Sequence, residues 1–479
     1  MNILFLIPPP LDGSPPAERI FGCNYGIYNQ PNIFILYPAT ILKMAGHDVR
    51  FMDLPANGKT RADYEFFCKD QDFDVIFFYS VFLSKRTDIL ARDMIHKQNP
   101  KTKYVFMATE PTGNPDDFID ENSIVIRGEP ESRVLPIIEC LEQGKSLEGI
   151  DGISYMHSGE KIHQGGYCVI DDLNLLPFPD RTLLDSEDYH NPKLSYQPFT
   201  TMIASRGCSF NCYYCVPNSL SFAREIEYKR EKKSGKPPVR LRSPENVITE
   251  FTQLAEAGYR SISFIDDQFV WGSKRTLEIC EGIGHLGVEW SCLSRADMLQ
   301  DEKVVRAMGR AGCRYVDVGI ESFNQEILDY IGKDCKVDAL YKAVRNLKKA
   351  GIEPELNILL GSCPLETTDT IERTFQETLR LDVDYVLFSV CTPFPYTIFH
   401  NKAMAEGWMI KSEYEAIDPI KESFISYPHL TKRQLDRIIK QLYIRFYFRP
   451  SYIQKRLRRL KGVKDFFNKL KAALTILRF

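Results

Sequence analysis

Phe199-Thr200-Thr201-Met202-Ile203-Ala204-Ser205-Arg206-Gly207-Cys208-Ser209-Phe210-Asn211-Cys212-Tyr213-Tyr214-Cys215 is the stretch on which the fold of this chain turns. Its first seven residues have the composition of a buried strand. Arg206-Gly207 then opens a loop that carries C-x3-C-x2-C. A zinc site normally takes four protein ligands, often as two cysteine pairs. Here three thiols fall within eight residues and no histidine follows closely. A loop of this length can wrap three thiolates around three corners of a [4Fe–4S] cube, leaving the fourth iron open to a small-molecule ligand. The competing readings are three cysteines in a tight turn, or half of a zinc site. The loop lies at the carboxyl end of a strand, the end at which α/β folds place their chemistry.

Downstream, strand and helix patterns alternate as repeated βα units do. Residues 261–265, 288–294, 315–320, 356–360 and 385–390 read as strands, with helical patterns such as 247–257 and 340–350 between them. With the strand before the cysteines this makes six, so a partial (β/α)6 barrel of TIM type is the economical architecture. Charged residues gather just past the strand ends: Asp266-Asp267, Arg295 and Glu321.

At the cysteine loop the chain resembles the radical S-adenosylmethionine (SAM) superfamily, whose signature is C-x3-C-x2-C with an aromatic residue before the last cysteine, here Tyr214. The resemblance implies that Cys208, Cys212 and Cys215 hold a [4Fe–4S] cluster whose open iron SAM chelates. One electron from an external donor, of flavodoxin or ferredoxin type, then breaks the C–S bond of SAM. The 5'-deoxyadenosyl radical so formed abstracts hydrogen from an unactivated carbon. The resemblance also puts Tyr214 near the SAM adenine and Asp266 and Asp267 at its amino group. Arg295 would pair with the SAM carboxylate through its planar fork, and Glu321 would meet the ribose or amino groups. From the residues alone each of these charges is equally an ordinary loop charge, and Asp267 also reads as a helix cap. Two stretches depart from the family pattern. Gly361-Ser362-Cys363-Pro364-Leu365-Glu366-Thr367 stands where Gly-x-Pro-Gly-Glu-Thr is usual, and Thr392-Pro393-Phe394-Pro395-Tyr396-Thr397 where Thr-Pro-x-Pro-Gly-Thr is usual. Both put bulk in place of glycine.

Upstream, residues 1–150 read as a doubly wound, Rossmann-like α/β domain with strands at 2–7, 46–53, 74–80, 103–108 and 123–127. This order resembles the cobalamin-binding domain that precedes the barrel in one large radical SAM group. That group includes anaerobic porphyrin-ring cyclases, cobalamin-dependent methyltransferases, and hopanoid and tetraether lipid enzymes. Residues 172–181, with Leu-Pro-Phe-Pro-Asp-Arg, match its interdomain linker. The expected organisation is 1–150 cobalamin-binding-like domain, 151–195 linker, 196–400 radical SAM barrel and 401–479 basic, amphipathic helical region. Whether cobalamin is bound stays open at this level. The chain has no Asp-x-His-x-x-Gly, and His47 reads as a turn residue. Ala108-Thr109-Glu110 stands where relatives carry Gly-Gly, so a domain kept for structure or substrate recognition is the other reading. A tRNA methylthiotransferase is disfavoured, because Cys68 and Cys140 fall in helical patterns and no added β-barrel RNA module follows.

Composition excludes several classes. Hydrophobic residues make up 44%, charged 26% and aromatic 12% of 479 residues, a globular balance. The longest apolar run, 75–83, is too short to span a bilayer, and the first residues read as a strand, not a signal peptide. Thirteen cysteines in a chain expected to be cytoplasmic read as buried apolar residues apart from the three in the loop. The net charge of -3 conceals an asymmetry: residues 431–479 hold 15 basic and two acidic residues, or +13, and the rest carries -16. Leu435, Ile438, Ile439, Leu442 and Phe446 follow helical spacing, as do Val463, Phe466, Phe467, Leu470 and Leu474. Such helices either lie on the inner, anionic face of a membrane or dock on the acidic barrel. The charged stretch 224–242 reads as a solvated loop, with a flap over the active-site mouth as the alternative. Nucleic acid is disfavoured by the lack of an aromatic-rich basic groove. The expectation is a radical SAM enzyme acting on a hydrophobic or lipid-like substrate, by methyl transfer or by cyclisation. A non-catalytic iron–sulfur redox protein and a cobalamin-binding module are the alternatives from other classes.

Overall fold

The computed structural model describes residues 1–13, 16–20, 28–215, 239–395, 397–410 and 422–458. In chain order the strands are β1 (Asn2–Ile7), β2 (Asp48–Asp53), β3 (Val75–Tyr79), β4 (Lys103–Met107), β5 (Ser123–Ile126), β6 (Ile153–His157), β7 (Glu160–Gln164), β8 (Phe199–Met202), β9 (Ser205–Arg206), β10 (Arg240–Leu241), β11 (Ser261–Phe264), β12 (Glu289–Arg295), β13 (Cys313–Glu321), β14 (Glu353–Leu360) and β15 (Tyr385–Val390). They form two large sheets and one small pair, β9 with β10. By packing the chain divides into two compact units. The first holds the first sheet, β8 to β11 and Cys208. The second holds Asn211–Cys215, Ser294–Arg310 and the chain from Arg314 on.

The first sheet runs β2-β1-β3-β4-β5-β6-β7. Its first five strands are parallel and its last two pair antiparallel. Parallel strands covered on both faces read as unbroken apolar runs, and β1 and β3 are such runs. Alternation along β1 sends Ile3, Phe5 and Ile7 into one core layer and Leu4 and Leu6 into the other. Phe5 stacks on Phe77 at 4.5 Å and Phe78 on Phe106 at 5.1 Å. Helix Ile33–Met44 covers the first layer, capped by Asn32, whose side chain accepts from the Phe34 N–H. It runs through Pro38, because burial of nearly every residue outweighs the hydrogen bond Pro38 removes. The hairpin of β6 and β7 falls in the stretch that the sequence suggested as linker, and it extends the sheet.

The second sheet runs β15-β14-β13-β12-β11-β8, six strands adjacent in chain order with β8 and β15 as edges. Its registered pairs are parallel. Helices Pro244–Glu256, Ser273–Ile283, Glu302–Arg310, Val337–Lys349 and Thr368–Arg380 connect successive strands, which is the βα repeat of an incomplete TIM-type barrel.

Helix Lys432–Tyr447 buries Leu435, Ile439, Leu442, Tyr443 and Phe446. The Tyr443 hydroxyl accepts from Phe388 N (3.1 Å) and donates to Phe388 O (2.7 Å). One helical turn on, the Tyr447 hydroxyl does the same for Val386 at 3.0 and 2.8 Å. Edge strand β15 thereby has outward-facing backbone groups satisfied by two side chains, which blunts an exposed edge. Helix Pro450–Arg458 follows, with Lys455 at 2.6 Å and Arg456 at 3.5 Å from the buried Asp384 carboxylate. This first part of the basic region therefore docks on acidic and apolar groups of its own unit. The second amphipathic pattern, 463–474, and most of the charged stretch 224–242 lie outside the described residues. Among the described residues no helix is long and apolar enough to cross a membrane.

Candidate active site

In the first unit, β8 ends at Met202 and leads through Ile203-Ala204-Ser205-Arg206-Gly207 to Cys208. Gly207 has φ 94°, a turn that favours glycine. Asp266, just past β11, is fully buried. Both its oxygens accept from Ala204 N at 3.0 Å, and the Ser205 hydroxyl donates to Oδ1 at 2.5 Å. Burial pushes the Asp266 carboxyl up to about 6 against these donors. Asp267 accepts from Gly207 N at 3.1 Å. The N-cap of the following helix is Gly272, so Asp267 is not the cap the sequence allowed. The two aspartates thus brace the approach to Cys208. Arg206, fully buried, reaches Glu131 at 2.5 Å and Glu129 at 3.7 Å, both just past β5, and its guanidinium lies 5.2 Å from the Tyr37 ring centroid. Arg240 completes this charge cluster on Glu129 at 2.6 Å. These partners do not stand out in the sequence. Their one signal was a pair of acids in Gly128-Glu129-Pro130-Glu131.

In the second unit, Asn211–Cys215 is pinned by Tyr213. Its N–H donates to Ile331 O at 3.0 Å, its carbonyl accepts from Phe399 N at 2.9 Å, and its hydroxyl donates to Ser362 O. The Asn211 carbonyl passes 2.9 Å from where a β-carbon on Gly332 would sit, so only glycine fits there. Arg295, at the end of β12, grips Asp297 through Nε (3.0 Å) and Nη2 (3.2 Å) and turns Nη1 to the Cys212 sulfur at 3.9 Å. Glu321 ends β13 at a register shift, with φ 63°, and pairs with buried Lys333 at 2.7 Å. Burial opposes the Lys333 ammonium, but Glu321, with a smaller part from Cys212, holds it above its ordinary value. Tyr214 lies near Glu321, Cys212, Cys215 and Cys391. Burial first, and then those groups, push its phenol well up, so it stays protonated. Lys333 was not legible in the sequence, being an isolated lysine in a turn.

The loop fits an iron–sulfur cluster by the chemistry of its donors. Among the described cysteines eight are buried. The others are Cys140, on helix Val134–Glu142, and the three of the loop, and no described cysteine is in a disulfide. A thiolate next to cations is the form that binds iron, and Cys212 has Arg295 beside it. No three His, Cys, Asp or Glu side chains among the described residues converge on one bare ion. A cube distributes its thiolates over separate irons and needs no such convergence.

The order β2-β1-β3-β4-β5 of the first sheet is flavodoxin-like, and such sheets take ligands at the carboxyl ends beside the β1/β3 switch point. Ala108 follows β4, the strand beside β3, with φ 92°, ψ -163°, a backbone otherwise left to glycine. Its carbonyl accepts from the Thr112 hydroxyl at 2.6 Å, and Thr112 accepts from Gly128 N at 2.9 Å. The charge of buried Glu110 is offset by Lys85 at 3.3 Å, with Asn114 donating at 3.0 Å. His47 sits at the opposite, amino end, where its Nδ1 is 3.3 Å from the chain's first nitrogen.

Residues 202–377 match the radical SAM superfamily. Over 468 residues the chain is 30% identical to an uncharacterized methyltransferase of Pyrococcus horikoshii, covering 95% of this chain and 94% of that protein. The chain belongs to the radical SAM superfamily. It is an enzyme, and a [4Fe–4S] cluster and SAM are its cofactors, with an electron donor and a small-molecule substrate required. This radical SAM chain is also 25% identical over 451 residues to an anaerobic magnesium-protoporphyrin IX monomethyl ester cyclase of Rubrivivax gelatinosus, covering 89% of this chain and 75% of the cyclase. Its fold matches that of OxsB, a cobalamin-dependent SAM radical enzyme solved with aqua-cobalamin and SAM bound. The TM-score is 0.69 at 17% identity, covering 100% of this chain and 70% of that one. The expected architecture, a doubly wound domain before a partial barrel, is thus matched in fold by that enzyme.

Proposed function

We propose that this radical SAM enzyme methylates an unactivated carbon of a hydrophobic substrate with a corrinoid held at the β1/β3 crevice. The observation that carries this reading is the backbone of Ala108. At the strand end where relatives carry Gly-Gly, an alanine keeps a glycine backbone conformation, which supports a chain path there like that of corrin-binding relatives. Similarity to a methyltransferase over nearly the whole chain supports it. When bound, the cluster supplies the electron that cleaves SAM, and the corrinoid supplies a transferable methyl group.

The chain's own residues divide the work as follows. Cys208, Cys212 and Cys215 would hold the cluster. Tyr214 would pack at the adenine, and Asp267 and Glu321 would accept from the amino and ribose groups of SAM. Asp266 holds Ala204 and Ser205, and so the first cysteine, in place. A histidine lower ligand is not expected: the Asp-x-His-x-x-Gly pattern is missing and His47 lies at the amino end of the sheet. The basic residues of 459–479 would bring the enzyme to an anionic membrane that contains its substrate.

The test is anaerobic reconstitution with iron and sulfide. Turnover with SAM, dithionite and lipid extract follows, with and without methylcobalamin, and mass spectrometry tracks 5'-deoxyadenosine and product. Tight corrinoid binding and a methylated product are expected. Loss of the cluster in wild-type protein, or SAM cleavage that survives Cys212→Ala, would sink the reading. Product without corrinoid would instead favour a cobalamin-independent cyclase or rearrangement enzyme; the similarity to a porphyrin-ring cyclase supports cyclisation as the outcome.

A further inference from the structure

Arg295 is 5% exposed, and the contacts of its guanidinium with Asp297 and Cys212 divide by edge. Nε and Nη2 form the edge that grips a carboxylate with two parallel bonds. That edge is filled by Asp297, two residues on, at 3.0 and 3.2 Å. Nη2 also donates to the carbonyls of Lys333 and Asp334. The fork is planar and rigid, so these contacts fix the direction of Nη1, which meets the Cys212 sulfur at 3.9 Å, within reach of an N–H···S hydrogen bond.

We propose that Arg295 is a positioning residue for the cluster: it donates to the Cys212 sulfur and makes the cluster easier to reduce, and it is not the partner of the SAM carboxylate. This rests on Cys212 being a cluster ligand. Reduction adds one electron, from the external donor, to a centre already carrying negative thiolates. A fixed cationic donor at one thiolate stabilises the reduced form more than the oxidised one, and hydrogen bonds to sulfur together with net charge are the protein's levers on cluster potential. Burial strengthens the effect by lowering the local dielectric. Lys333 contributes less, because Glu321 neutralises it at 2.7 Å. No proton moves in the step, so its electron balance needs only the donor.

The experiment is an EPR-monitored redox titration of full-length, reconstituted protein, without and with SAM, alongside iron and sulfide assays. Arg295→Gln keeps its iron and shifts the reduction equilibrium about tenfold toward the oxidised form, a midpoint lower by about 59 mV for one electron. Arg295→Lys keeps the charge but loses the fork, and its midpoint falls part of the way. Both variants keep the SAM-induced change in the EPR spectrum. The proposal is overturned if both keep the wild-type midpoint. It is equally overturned if they lose the SAM-induced change while the SAM-free midpoint stays put, which is the signature of a carboxylate partner. Where Arg295→Gln does not fold, Arg295→Lys alone decides. Cys212→Ala separates the two levels: full iron content there would remove Cys212 as a ligand whatever the Arg295 midpoints are.

Discussion

Ala108 holds a backbone conformation that costs a non-glycine residue about 1–3 kcal/mol. Ala108→Gly should relieve it. Part of the gain is offset by the greater freedom glycine gives the unfolded chain, leaving about 1 kcal/mol of added stability, read as a higher urea midpoint at unchanged slope. A midpoint that falls would show that the β-carbon has packing value there. Glu366 is a second buried residue with a measurable signature. It lies on the turn after β14, accepts from Ser362 N at 3.0 Å, and burial pushes its carboxyl from 4.5 up to about 8. Between those values the unfolded chain has released the proton and the folded chain keeps it. Wild-type stability therefore falls as pH rises through that window, by roughly 1.4 kcal/mol per pH unit. Below the window no loss has occurred, and above it the loss is complete. Glu366→Gln keeps the acceptor for Ser362 and cannot ionise. Its melting temperature should be flatter from pH 5 to 8 and exceed wild type at the alkaline end. At this scale the sequence was half legible. The cysteine spacing singled out the candidate ligands, because a cluster loop is contiguous. Lys333 beside Glu321, Glu131 beneath Arg206 and Asp297 on Arg295 depend on which turns meet, and a linear reading carries no such term.

Two tyrosines on one helix face and two residues on one strand share a geometry. Tyr443 and Tyr447 are a helical turn apart, Val386 and Phe388 are on one side of β15, and each hydroxyl serves both an N–H and a C=O. Tyr443→Phe should cost about 1–3 kcal/mol, because it leaves buried backbone groups without partners while the ring still packs. Tyr447→Phe should behave alike. Hydrogen exchange provides the sharper check: the Phe388 amide should lose protection in the first variant and the Val386 amide in the second, with β14 amides unchanged. Uniform loss across the sheet would mean the helix as a whole had detached. The elements themselves were largely readable. β3 is a continuous apolar run, and β4 and β15 are broken only by Lys103 and Ser389, which suits a covered parallel sheet. The β6–β7 hairpin escaped because Glu160-Lys161-Ile162-His163-Gln164 is a polar edge. Its one signal was Ser158-Gly159, both at positive φ (49° and 83°), the two-residue turn that right-twisted hairpins favour.

Over the whole molecule, the +13 of residues 431–479 divides at Arg458. Up to that point nine basic residues and one acid give +8, and several of these cations face carboxylates of the same unit: Arg445 on Glu372 at 2.7 Å, Lys455 and Arg456 on Asp384. Beyond it, residues 459–479 hold six basic residues and one acid with Val463, Phe466, Phe467, Leu470 and Leu474 at helical spacing. The two halves therefore predict different losses. Deleting 431–479 removes the cover of β15 and the apolar face of helix Lys432–Tyr447, so that protein should aggregate. Deleting 459–479 leaves those contacts in place and should keep the wild-type melting temperature. The second deletion should nevertheless lose binding to vesicles of anionic lipid, because each basic residue near such a surface contributes about 1 kcal/mol. Raising salt should weaken wild-type binding in the same direction, since the Debye length shrinks from about 8 Å at 0.15 M to about 3 Å at 1 M. If the shorter deletion sediments with anionic vesicles as wild type does, the membrane assignment falls and the remaining charge belongs to another partner. If it melts earlier, residues 459–479 belong to the structural cover along with the rest.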